Sequence, residues 1–150
     1  MANYAVEMNR TASTSLSVGN IIADATRPRR GKWYDIVFGS EGTPADNVYL
    51  WQVQRCTTAG TSTAVTPQAL DPADAATESD AGENHTIDPT LTASAILLSV
   101  PLNQRATFRW VAAPGSELVY PATASNGLAL RTPTASGLLA VTATVQYQEQ

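Results

Sequence analysis

The chain has one cysteine, one histidine and one lysine among its 150 residues. A lone cysteine, Cys56, excludes an internal disulfide and with it the stapled scaffold of small secreted domains. Charged residues make up only 15% of the chain, against about 25% in an average globular domain. The polar surface therefore falls to Thr, Ser, Asn and Gln, which suit strands and turns. The net charge is −4, the wrong sign for a general nucleic-acid binder. No apolar run approaches the length of a membrane span. Met1 to Arg10 lack the basic-then-apolar order of a secretory leader. The expectation is a chain made in a cytoplasm that stays soluble or leaves as part of an assembly, with neither nucleic acid nor membrane as partner. Its length suits one domain, residues 1–150, which needs no metal or staple to fold.

What is present is period-two patterning. Tyr4, Val6 and Met8 share one face of 3–9, Thr14 to Val18 alternates, and Lys32 to Phe38 is rich in aromatic and β-branched residues. Val48 to Thr57 reads as another strand, and Leu139, Val141, Ala143, Val145 and Tyr147 alternate cleanly near the C-terminus. Shorter strand signals lie at Ala106–Val111, Leu118–Tyr120 and Gly127–Thr132. Thr90 to Val100 changes parity near Ile96-Leu97-Leu98, which predicts a bulge or burial on both faces. Residues 58–88 read as a long mid-chain loop, with a short strand at 63–66 and a helical turn starting at Asp71-Pro72. The expected fold is all-β: a β-sandwich of jelly-roll type, with eight or so short antiparallel strands and one long mid-chain loop.

Chemistry-bearing residues are sparse. His85 lies in an acidic, alanine-rich stretch and reads as a solvated loop histidine. The acids Asp71, Asp74, Glu78, Asp80, Glu83 and Asp88 lack the spacing of a calcium loop. Cys56 has no histidine near it in sequence and reads as a small buried hydrophobe. No phosphate loop, zinc spacing or nucleophile elbow is present. These readings name no catalytic residue, cofactor or metal, and point to a non-enzymatic structural or binding module.

Two features suggest contact with other chains. Tyr4, Val6 and Met8 form a strand that needs a pairing partner, which an exposed edge on a neighbouring subunit would supply. Arg27, Arg29, Arg30 and Lys32 form a basic loop that would meet acidic surface, such as the 71–88 stretch of another copy. Low charge lowers the desolvation cost of burying surface between copies, and a homotrimer is the expected assembly.

The stretches Thr66-Pro67-Gln68-Ala69-Leu70-Asp71-Pro72-Ala73-Asp74-Ala75-Ala76 and Phe108-Arg109-Trp110-Val111-Ala112-Ala113-Pro114-Gly115-Ser116-Glu117-Leu118-Val119-Tyr120-Pro121-Ala122 resemble segments of small structural proteins of tailed bacteriophages. So does their order along the chain, from about Tyr4 to Tyr147. The resemblance implies a virion component, with capsid decoration or cement as the expected role, the major capsid protein as partner and the capsid surface as location. A tail or fibre module that binds host glycan is the alternative.

Overall fold

Alternation along a strand sends every second side chain to one face, and the core follows that rule. In the computed structural model, which describes residues 1–150, Val141, Ala143, Val145 and Tyr147 are buried while their neighbours are not. The chain is all-β, without a helix, and forms β1 (Asn3–Thr11), β2 (Gly19–Ala23), β3 (Gly31–Ser40), β4 (Val48–Cys56), β5 (Thr61–Val65), β6 (Gln68–Ala69), β7 (Ser79–Ile87), β8 (Leu91–Asn103), β9 (Phe108–Val111), β10 (Leu118–Tyr120), β11 (Gly127–Ala135) and β12 (Ala140–Glu149).

Two antiparallel sheets pack against each other as a sandwich. One runs β10-β3-β12-β1-β6, with β9 also paired to β3; the other runs β5-β7-β2-β11-β4-β8. Between them lie Trp33, Phe38, Trp51, Tyr49, Ile21, Leu128 and Leu130, all essentially inaccessible. Phe38 and Trp51, from opposite sheets, stack with centroids 4.6 Å apart. The Met8 thioether fills the space that a Cβ on Gly19 would need, which brings β1 and β2 into close contact.

Two bulges set which side chains face inward. Gln146 opposes Asp35 and Tyr147 opposes Trp33, so Tyr34 is the extra residue on β3. Trp33 therefore faces the core from one parity, and Ile36 and Phe38 from the other. On β8, Leu98 opposes Val53 and Ile96 opposes Gln54, which makes Leu97 the extra residue. The parity change in the sequence at Ile96–Leu98 is this bulge.

Residues 58–88 are not a loop. They carry β5, β6 and β7, and the expected helical turn at Asp71–Ala76 is a non-helical turn in which the Asp71 carboxylate accepts the Ala73 N–H. The excursion starts and ends at one point, where the Thr57 N–H donates to the Thr90 carbonyl at 2.9 Å. From there it adds β5 and β7 to one sheet beyond β2, and β6 to the other beyond β1. It thereby closes one long side of the sandwich. Thr14 to Val18 is also not a strand, because the Ser13 hydroxyl oxygen accepts the N–H groups of Ser15 and Leu16 and bends the chain.

The opposite long side stays open. Its edges are β8 and the interrupted strand β9/β10, joined by the short turn after Asn103. Leu97, Leu98, Val100, Leu102, Phe108, Trp110 and Leu118 pack against the core there but remain only partly buried.

Candidate functional site

The residues expected to contact partners fall into two groups. Tyr4, Val6 and Met8 are core residues, at 3%, 2% and 0% exposure. β1 pairs with β12 along its whole length, Asn3 opposite Gln148 through Thr11 opposite Ala140, and with β6 at Tyr4 and Ala5. The partner this strand needs is thus β12 of the same chain, which corrects the expectation that an edge on a neighbouring subunit supplies it. Alternation identified the face correctly, but a local pattern does not reveal a partner far along the sequence.

Arg27, Arg29 and Arg30 are exposed in the loop before β3, whereas Lys32 is half-buried on β3 itself, opposite Gln148 and Val119. The loop is shaped by Asp24, whose carboxylate accepts the Thr26 hydroxyl and the N–H groups of Thr26 and Arg27. These donors hold its pKa down at about 2. Arg27 pairs with Glu78 at 2.8 Å, so the acidic stretch it meets belongs to its own chain. Arg29 lines a shallow recess of about 240 Å³ with Tyr4, Glu78 and Glu149. Lys32 lines another, about 400 Å³, with Asn3, Tyr34, Glu117 and Gln148.

The one histidine is not solvated. His85 is 1% exposed on β7, and burial pushes its pKa below the ordinary value. Ser17 and Asp88 lie in the same cluster, giving the residue types of a catalytic triad without its geometry. The Asp88 carboxylate accepts the Ser17 backbone N–H at 2.6 Å. His85 Nε2 faces the Ala59 carbonyl at 3.3 Å, while Ser17 Oγ and His85 Nδ1 are both buried without a partner. Arg10 donates to the carbonyls of Ser17 and His85. The cluster ties the β1–β2 connection to β7 and leaves no nucleophile–base hydrogen bond.

A second network holds the segment before β7. Glu149, on β12, accepts the Thr77 hydroxyl at 2.9 Å, the Ser79 hydroxyl at 2.6 Å and the Glu78 N–H at 3.0 Å. Both hydroxyls donate to the carboxylate, so Tyr147 donates to Thr77 at 2.8 Å and Tyr120 to Ser79 at 2.7 Å. Nothing in the sequence signals this network, because its bonded partners lie 41 to 72 positions apart.

No three His, Cys, Asp or Glu side chains converge to hold a metal ion. Cys56 is buried, and burial pushes its thiol up to about 12. The largest recess, about 420 Å³, is lined by Asn20, Ser62, Thr66, Asp80 and Gly82, with no aromatic side chain. No known family model, characterised protein or solved structure matches this chain.

Proposed function

We propose that this chain is a non-enzymatic virion protein of a tailed bacteriophage, a decoration or cement protein on the outer capsid surface that adheres to the major capsid protein and to copies of itself. The observation that carries the reading is how the ionisable side chains are used. Arg10, His85 and Asp88 pin the closing end of the excursion, Glu149 holds its residues 77–79 at the start of β7, and the Asp35–Arg109 pair fastens β9 to β3. These groups hold strands together, and Glu149, which borders a recess, has both carboxylate oxygens occupied by donors from Thr77, Glu78 and Ser79. Such a body contributes adhesive area and stiffness.

The strand order supports the same reading. The order β1-β12-β3-β9/β10 over β2-β11-β4-β8 fits the two four-stranded sheets expected of a jelly roll, with the excursion between its fourth and fifth strands. The two stretches that resemble phage structural proteins also have clear places in it. Residues 66–76 run across β1, where the Leu70 N–H donates to Asn3 and the Tyr4 hydroxyl to Ala75. Residues 108–122 form the outer edge on β3.

The glycan-binding alternative draws on one observation, the recess where half-buried Tyr34 sits beside Asn3, Gln148 and Lys32. Co-sedimentation of the purified chain with phage heads tests both readings. Decoration requires saturation at hundreds of copies per head and heads that survive higher temperature. Absence of binding to heads, with a few to some tens of copies on intact virions, places the chain on the tail and overturns the decoration reading.

A further inference from the structure

A sheet edge exposes a row of unpaired N–H and C=O groups, and soluble proteins guard such rows with charges, prolines, bulges or covering segments. Three of the four edges here are guarded or short. β5 and β6 are brief, with five and two residues. The edge on β3 is broken by the 112–117 excursion between β9 and β10 and carries Arg109.

β8 differs. It has 13 residues and lies at the end of its sheet. No charged residue occurs from Pro89 to Gln104. Ile96 is 44% exposed, and Leu97, Leu98, Val100 and Leu102 are only partly covered. The guards it has are at its ends. Ser94 has φ of 58°, outside extended geometry. Pro101 stands opposite Leu50 with no N–H to give, so its nitrogen takes a place on the free side. The stretch between them, 95–100, has only the Leu97 bulge.

We propose that this edge of β8 pairs antiparallel with the β8 edge of a second copy, joining the two six-stranded sheets across a two-fold axis. A second copy is the occupant for two reasons. An antiparallel edge is self-complementary under a two-fold, and an uncharged one brings no like charges together. An edge kept for a different partner would need a device against pairing with itself, and 95–100 carries no charge or proline to serve as one. The unguarded stretch 95–100 gives a ladder of about 20 Å, with the part-buried Leu97, Leu98 and Val100 side chains beside it to be covered. The expectation of three copies rested on low charge, which sets no symmetry. This pairing concerns the free protein and stands apart from the capsid reading.

The test is the mass of the free protein at high micromolar concentration, by sedimentation equilibrium. The wild type is expected at twice the 15.8 kDa chain mass. Ser99 shares the parity of Pro101, so Ser99→Pro removes an outward N–H and spares the ladder to β4. Ile96→Lys puts a charge near its own copy. Both are expected at the mass of one chain, with wild-type circular dichroism. A wild type of one or three chain masses overturns the proposal, as does a folded variant that keeps the paired mass. If the variants fail to fold, amide exchange on the wild type decides. Protection of 95–100 that fades on dilution supports the pairing, and protection independent of concentration overturns it.

Discussion

The Ser79 hydroxyl donates to the Glu149 carboxylate at 2.6 Å, tying the start of β7 to the end of β12. Behind it the Tyr120 hydroxyl donates to Ser79, and beside it Tyr147 donates to Thr77, so two hydroxyl chains end on one carboxylate. Glu149→Ala is expected to destabilise the fold by about 2 kcal/mol, the scale of hydrogen bonds to a charged group. It should also make 70–79 the first site of proteolysis. Urea unfolding and limited digestion check both. Unchanged stability with unchanged cleavage would show that the network carries no load.

Gly31 marks a close approach of another kind. A Cβ there would land on the Tyr120 ring, which is itself fully buried. Gly31→Ala should displace that ring, lengthen the Tyr120–Ser79 bond and cost about 1–3 kcal/mol by overpacking. For a chain of this length each kcal/mol lowers Tm by about 2–4 °C. Thermal unfolding followed by near-ultraviolet circular dichroism measures both the loss and the change in the tyrosine environment.

His85 gives the fold a pH dependence of definite sign. Burial lowers its pKa in the folded state, and the charges around it oppose each other, Asp88 favouring protonation and Arg10 disfavouring it. The unfolded chain therefore binds the proton first as pH falls. Its stabilising contribution is complete above about pH 6.5 and is lost as pH drops from there towards the folded pKa, with a slope of at most about 1.4 kcal/mol per pH unit. Urea midpoints between pH 7.5 and 5 should fall for the wild type and stay flatter for His85→Gln. Parallel curves would remove His85 as the cause.

Core and contact roles separate along the chain's first third. Met8 is inaccessible against Gly19, so Met8→Ala should cost about 2–5 kcal/mol. Arg29→Glu combined with Arg30→Glu lies on exposed surface and should leave Tm unchanged while weakening attachment to heads at low salt. Attachment that is the same at every salt concentration would make the basic loop a connector only.

The strands that could be read in advance are those with one apolar face, such as β12 and β4, and the bulge at Leu97 showed as a parity change. β2 lacks alternation because all five of its residues are buried. β7 was hidden for the opposite reason. Its inward positions are Ser79, Ala81 and His85, small or polar groups held by the Glu149 and Arg10 networks, so hydropathy carries no period there. The candidate site was less legible than the fold. The basic loop was visible as a charge run, but its pairing with Glu78 in the same chain depends on where the excursion crosses, which no local pattern encodes.

The ladder between β1 and β12 has a kinetic consequence. Asn3 pairs with Gln148 and Thr11 with Ala140, so β1 waits for almost the whole chain before it has its main neighbour. β12 is also the strand that links β1 to β3. Contacts of such sequence separation close slowly. During synthesis the sheet β10-β3-β12-β1-β6 therefore stays split in two until its last strand arrives, with Tyr4, Val6 and Met8 uncovered in the meantime. That interval, rather than the finished fold, is when this chain is most exposed to misassembly.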